Sequence, residues 1–558
     1  MATYAGDDGT GGKEIGVGRL IPPAAKNRSP GDTSDSLSGG YGFVPLSPLR
    51  RTIGHLYGSL WGDVLLLAIL VAMVAVVHLV VPGTVPSGPD GGNWLALAQE
   101  QRGVDVMSAD VRYPPLFTGL LSLLLLLGIP KIGALISMAL LAKAALVTAT
   151  YMTARTLSRT YAAAASLLMI AVGAQLEAYA WGGYPQLLAM AFGLVAVFLI
   201  VRYVDTQRRP HLWFGLAFAA ATLITHVMIG GLLALALAVA ILHWLYAVDP
   251  GKRVWRRGVR LGAAVAGGTA VGALFVLLYW RGLGTEAILN PLATARWESL
   301  THVVRHAPLP WAIVSVSAVG VLFLRSWPAH VGATLALGSG WLAAGVAFFL
   351  ATGEWRGLLV SQVGLVLLAT LGFGVALDAA AGSQKGRYTL ANPRSVPHRL
   401  LLIVGVSVFV SIAVAGLGSY PGSIGFFQVV DQPEIAALDQ LSHDADPESV
   451  VLAARGNNGH AAGWWIEGYA GLPTWTGLDL IWLAFPDERE QAEVANSFFL
   501  GDLSEADSVA VLREIGADYL VVDQRGPDAE WLEGEFARSL PVVDDSSHLI
   551  ILEARPRD

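Results

Sequence analysis

Cysteine is missing from all 558 residues. That removes disulfides, thiolate catalysis and cysteine-based metal sites, and leaves the redox compartment unread. Charge is scarce too. Only 14% of residues are Asp, Glu, Lys or Arg, and their formal sum of -7 gives no basic field of the kind that gathers nucleic acid, so nucleic acid is not expected as a partner. There is no Gly-rich nucleotide-binding loop and no internal repeat. No basic start followed by an apolar core opens the chain; residues 1–55, rich in Gly, Ser, Asp and Pro, read as a disordered cytoplasmic tail.

Apolar sequence is what the chain has in abundance. It is 54% hydrophobic, with a mean hydropathy of +0.55, which a soluble globular protein of this size does not reach. Runs long enough to cross a bilayer recur at 60–81, 132–154, 161–178, 185–203, 212–225, 229–247, 258–280, 310–324, 331–351, 357–377 and 400–417. A further run, 114–129, is short, opens on a proline pair, and suits an interfacial helix. The expectation is a polytopic α-helical membrane protein of about eleven spans, with residues 56–417 as its membrane domain.

The basic residues set the topology. If 114–129 does not cross, then Arg50/Arg51, Arg155/Arg159, Arg208/Arg209, the 252–260 cluster, Arg325 and Lys385/Arg387/Arg394/Arg399 share one side. The positive-inside rule makes that side the cytoplasm. A crossing there would turn every later basic loop outward. The other face collects the 83–113 loop with Asp90, Asp105, Asp110 and Arg112, the turn Glu177…Trp181-Gly182-Gly183-Tyr184-Pro185, His226, the 281–309 loop and Glu354-Trp355-Arg356. The expected location is the plasma membrane, N-terminus inside. Residues 418–558 read as a small extracytoplasmic α/β domain, with helices at 432–442 and 504–515 and core strands at 450–453, 519–522 and 549–552. Ser504 and Asp507 have capping-box spacing.

Several residues in these loops can carry chemistry. Asp90, in Gly88-Pro89-Asp90-Gly91-Gly92-Asn93-Trp94, either binds a divalent cation or takes a proton from a hydroxyl; Pro-Asp-Gly is also simply a favourable turn. Arg112 and Tyr113 lead into the interfacial run. Glu177, at a membrane boundary, must be hydrated, paired or functional, and His226 joins two spans at the rim. In Glu354-Trp355-Arg356 the guanidinium either grips a lipid-linked phosphate or pairs with Glu354. Lys143 lies mid-span, so it should face the bundle interior and find a carbonyl or carboxylate. In the last domain Asn457, Asn458, His460, Trp464, Trp465 and Glu467 make either a sugar-stacking or peptide-gripping surface or a contact with the membrane part; core and anchor aromatics are the plain alternative.

Taken together, these residues resemble the GT-C class of membrane glycosyltransferases, which includes oligosaccharyltransferase catalytic subunits and the protein mannosyltransferase-like and aminoarabinose transferase-like enzymes. The likeness lies in an acidic first outer loop, an interfacial helix after Tyr113-Pro114-Pro115-Leu116, a second acidic position, a late outer Arg and a soluble outer domain. Trp464-Trp465-Ile466-Glu467-Gly468 is similar to the Trp-Trp-Asp-Tyr-Gly signature of oligosaccharyltransferases, with Ile for Asp and Glu for Tyr. The resemblance implies transfer of a sugar from a polyprenyl-phosphate or -diphosphate donor to a glycan, lipid or protein acceptor on the outer face, with inversion. It implies Asp90 as base or metal ligand, Glu177 as second acid and Arg356 as a lipid-phosphate ligand; Arg112, Tyr113, Trp181, Tyr184, His226, Glu354 and Trp355 are the candidates for substrate binding on the same face. A divalent cation, Mg or Mn, would sit on Asp90 and Glu177. The first loop lacks the paired acids usual in the class. The rival classes are a multi-span transporter, which would place ionisable groups at the midplane, and a non-catalytic envelope scaffold.

Overall fold

The computed structural model describes residues 60–81, 85–86, 88–104, 113–247, 262, 307–323, 329–352, 355–380, 396–480, 486–501 and 503–554. The readings at 1–55, the 258–280 run, most of the 281–309 loop, Asp105, Asp110, Arg112 and Glu354 lie outside them. The helices, in chain order, are α1 (Leu60–Val80), α2 (Pro89–Glu100), α3 (Pro115–Leu126), α4 (Lys131–Ala154), α5 (Arg159–Ala171), α6 (Gly173–Trp181), α7 (Tyr184–Thr206), α8 (Arg209–Leu223), α9 (Val227–Ala247), α10 (Pro308–Leu322), α11 (Ala329–Thr352), α12 (Arg356–Ala380), α13 (Val396–Phe427) and α14 (Gln432–Asp444).

Among the described residues seven helices are long and apolar enough to span a membrane, eight if α5 and α6 make one bent span. The described residues therefore hold fewer full-length spans than the eleven expected, and the 258–280 run lies outside them. Helices α8 and α10 have 15 residues each, about 22 Å of helix against a hydrocarbon core of about 30 Å. The run expected at 161–178 is broken: Val172 takes an extended backbone, and the two halves meet at 48°. The last apolar run does not stop at 417. Helix α13 continues to Phe427 with Pro421 inside it, because a membrane helix tolerates an internal proline where neighbours re-satisfy the freed carbonyl. The domain boundary expected at 418 thus falls within a continuous helix.

Helix α3 is too short to span a hydrocarbon core unaided. It has 12 residues, about 18 Å, and its two flanks stay at one end of the bundle. The Leu116 N–H donates to the Ile224 carbonyl (2.9 Å) in the α8–α9 turn, while Lys131, just past α3, donates to the Tyr469 carbonyl. At the other end Asp63 of α1 accepts from Arg155 Nε and Arg159 Nε, each at 2.8 Å, and from Tyr151. The basic anchors of that loop thus converge on one carboxylate. Lys143 is fully buried and donates to the Met169 carbonyl at 3.1 Å.

After α14, which opens with an Asp431/Glu434 capping box, come β1 (Val450–Ala453), α15 (Gly463–Trp465) running into a π-turn (Ile466–Ala470), β2 (Thr474–Thr476), α16 (Pro486–Phe499), α17 (Glu505–Ile515), β3 (Ala517–Asp523), α18 (Glu535–Ser539), β4 (Val542–Asp544) and β5 (Leu549–Glu553). Ser504 caps α17 by accepting from the Asp507 N–H at 3.2 Å. The sheet order is β2-β1-β3-β5-β4, parallel through β2, β1 and β3 and antiparallel through β3, β5 and β4. Strand alternation sorts its two faces. Val451, Val521, Leu549 and Ile551 join the core that runs on into the helical bundle, and Leu452, Leu520, Val522, Ile550 and Leu552 pack with Phe498, Phe499 and Trp531 beneath α16.

Candidate active site

Helix α2 begins at Pro89, whose missing N–H is no loss in a first turn, so Asp90 falls in that first turn. Its position is fixed by backbone approaches that only glycine allows. A Cβ at Gly92 would lie 2.5 Å from the Trp464 carbonyl carbon, and one at Gly182, where φ is +99°, would lie 2.9 Å from Asp90 Cβ. Two indole N–H groups tie down the backbone beside Asp90: Trp94 donates to the Gly182 carbonyl at 2.6 Å, and Trp465 to the Gly88 carbonyl at 3.0 Å.

Around Asp90 the chain assembles a recess of aromatic walls and few charges. Tyr113 packs on Trp94 (ring centroids 4.6 Å) and edge-on to His226 (6.0 Å). Trp181 meets Trp355 edge to face at 5.0 Å and Phe427 at 6.0 Å. Arg356, the first residue of α12, acts electrostatically on Asp90, Tyr113 and His226, and the Asp90 charge reaches Tyr113 and Tyr184. Burial pushes the Asp90 carboxyl up to about 7 against the opposing pull of Arg356. Burial, helped by the Asp90 charge, raises the Tyr113 phenol, which stays protonated. His226 is pushed down to about 3, by burial first and then by Arg356, so it is neutral, and its Nδ1 has no hydrogen-bond partner in the structure. A weak base, a fixed cation and neutral donors therefore face one space.

Seven of the residues singled out from sequence meet here: Asp90, Tyr113, Trp181, Tyr184, His226, Trp355 and Arg356. Glu177 lies one turn before Trp181 on α6, partly exposed. Among the described residues no three His, Asp or Glu side chains gather as a metal-binding group, so Glu177 and Asp90 are not part of such a cluster.

The C-terminal candidates are placed differently. The Asn457 amide donates to the Gln428 carbonyl (3.1 Å) and that of Asn458 to the Phe426 carbonyl (2.9 Å), satisfying groups that the end of α13 leaves open. His460 is buried and stacks on Phe427 at 5.4 Å. Trp465 and Glu467 are fully buried, and Trp464 packs partly exposed beside Leu478 and Ala492. Asn457, Asn458, His460 and Trp465 thus contact the membrane part, while the Trp464 ring packs within the C-terminal domain. Trp94 and Gly182 were missed as site residues. Their hydrogen bond joins positions 88 apart, which no spacing rule reveals.

No protein-family model matches the sequence, and no curated protein sequence matches it. Solved structures do. The archaeal oligosaccharyltransferase AglB from Archaeoglobus fulgidus, in complex with an inhibitory peptide and a dolichol-phosphate, superposes with a TM-score of 0.54 at 12% identity over 86% of this chain and 72% of that one. ArnT from Cupriavidus metallidurans bound to undecaprenyl phosphate gives 0.53 at 16% identity over 89% of this chain and 99% of that one. The mycobacterial arabinofuranosyltransferase AftD gives 0.53 at 15% identity over 88% of this chain but 42% of its own longer chain. The fold resembles that of the GT-C membrane glycosyltransferases.

Proposed function

We propose that this protein is a membrane glycosyltransferase that moves a sugar from a polyprenyl-phosphate or -diphosphate donor to an acceptor hydroxyl on the outer face. The observation that carries the reading is Asp90 beside Arg356 in a recess walled by Tyr113, His226, Trp181 and Trp355. The GT-C-like fold supports it, as do the polyprenyl phosphates bound by AglB and ArnT.

In this reading Asp90 takes the acceptor proton as the acceptor oxygen bonds to the anomeric carbon. The bond from that carbon to the phosphate oxygen breaks, and Arg356 holds the departing phosphate by charge-assisted hydrogen bonds. A carboxyl near 7 is a stronger base than an ordinary Asp and is still about half ionised at neutral pH. Neutral His226 and protonated Tyr113 are positioned to orient sugar or phosphate oxygens, and the Trp181–Trp355 pair offers an apolar wall to a sugar face or isoprenoid chain. Because the leaving group is already a phosphate, positioning and charge stabilisation supply most of the barrier reduction.

A divalent cation fits only as a shared ligand. The donor set in the described recess is one carboxylate facing a guanidinium, which suits Mg held through Asp90, donor phosphate oxygens and water rather than a protein cage. Such an ion would add positive charge at the phosphate. Arg356 keeps its role on the phosphate with or without it.

The test is to incubate purified protein in lipid with a panel of radiolabelled polyprenyl-phosphate sugars, with and without divalent cations, beside Asp90→Asn. Donor consumption lost in that variant supports the reading. No turnover and no donor binding across the panel would overturn it.

A further inference from the structure

The first turn of α2, which carries Asp90, is held by a tryptophan from the C-terminal domain. The Gly88 carbonyl closes the first turn around Asp90 by accepting the Gly91 N–H at 3.1 Å. The same oxygen accepts the Trp465 indole N–H at 3.0 Å. The indole is fully buried, and its Cζ2 lies so near Gly91 that a Cβ there would come within 2.7 Å. A second clasp reinforces the first: Gln99 Nε2 donates to the Gly468 carbonyl, in the π-turn that follows Trp465. Helix α2 thus rests along its length on the 463–470 segment.

We propose that Trp465 is a positioning residue, through which the C-terminal domain sets the place of the Asp90 carboxylate. This rests on the reading of Asp90 as the catalytic base. The physical reason is leverage. Pro89 brings no N–H and Gly91 and Gly92 no side chains, so the first turn of α2, though buried, is held by the rings and backbones packed onto it rather than by side chains of its own. The Trp465 hydrogen bond and ring contact restore what those residues lack. A shift of about 1 Å in a reacting group is enough to cost roughly a hundredfold in rate, so a loose first turn would weaken chemistry before donor binding. Trp465 touches neither the reacting atoms nor Arg356 in this account; it acts through the α2 backbone.

The experiment uses full-length protein in lipid nanodiscs and compares Trp465→Phe, which keeps a ring and loses the N–H, with Gln99→Leu, Asp90→Asn and Trp531→Phe. Trp531 lies in the separate core under α16 and controls for general loosening of the domain. Two readouts are taken: hydrogen–deuterium exchange at residues 90–96, and kcat and KM with the radiolabelled donor that the panel identifies. Trp465→Phe should raise exchange across 90–96 about tenfold, the worth of one net hydrogen bond. It should lower kcat about ten- to a hundredfold with donor KM within about twofold. Gln99→Leu should show the same pattern, more weakly, and Trp531→Phe none of it. If Asp90→Asn is inactive while Trp465→Phe and Gln99→Leu match Trp531→Phe in exchange and kcat, the positioning role is overturned and the base reading stands. If Asp90→Asn turns over normally, the base reading falls and takes the positioning role with it.

Discussion

At Asp90 burial and Arg356 pull in opposite directions, and burial dominates, leaving the carboxyl near 7. A base is active ionised, so kcat/KM should rise with pH through about 7 and level above it. Arg356→Gln removes the charge that favours the ionised form. The acid limb should then move above 7 and donor KM should rise, whereas loss of Arg356 with no shift would place the guanidinium outside the reach of Asp90. Asp90→Asn should lower kcat by about 10² to 10⁴. His226, held near 3, stays neutral across this range, so no second limb is expected near the usual imidazole value, and His226→Ala should leave the limb in place. That seven of the residues singled out from sequence gather in one place was legible because the basic loops sort the remaining loops onto one side, which brings their polar residues together. Their mutual distances were not legible, nor was the partner of Arg155 and Arg159, because Asp63 lies more than 90 positions away.

The decisive element is α2, a short helix whose neighbours press on its backbone. In Gly468, of the π-turn, a Cβ would collide with the Gly92 carbonyl oxygen and lie 2.9 Å from the Ala96 nitrogen. Gly468→Ala should therefore push the domain off α2, at a cost of about 1–3 kcal/mol for overpacking. The measurable result is a lower temperature of irreversible inactivation together with lost turnover; retained activity at full stability would mean that the two backbones are not in close contact. Sequence showed the tandem Trp with its flanking Gly residues as unusual but left its purpose open, since binding surface and domain contact need the same residue types. The strands were easier. Val450–Ala453 forms as read, and the runs at 519–522 and 549–552 lie within β3 and β5, because short β-branched runs bounded by turns have few other uses in a core. The break at Val172 and the persistence of α13 through Pro421 were hidden, since both depend on what neighbouring helices supply rather than on local propensity.

For the molecule as a whole the argument turns on α3, because the side of every later loop depends on whether it crosses. Its two flanks meet the α8–α9 turn and the C-terminal domain, and the positive-inside rule predicts that this end is the outer one. The absence of cysteine from the sequence allows a direct test. Leu127→Cys, at the exposed end of α3, and Arg102→Cys, after α2, should react with a membrane-impermeant maleimide in intact cells. Arg208→Cys, between α7 and α8, should react only after the membrane is opened. The three labels are linked: a crossing α3 would put positions 102 and 127 on opposite sides, and every loop after it would change side with 127. Arg208 would then label from outside, along with the basic loops that the rule places in the cytoplasm. Asp90, Arg356 and the C-terminal domain would no longer share a compartment, although the structure holds Arg356 close enough to act on Asp90 and Trp465 bonded to Gly88. Joint outside labelling at 102 and 127 with protection at 208 is thus the single pattern that satisfies both the charge distribution and the site.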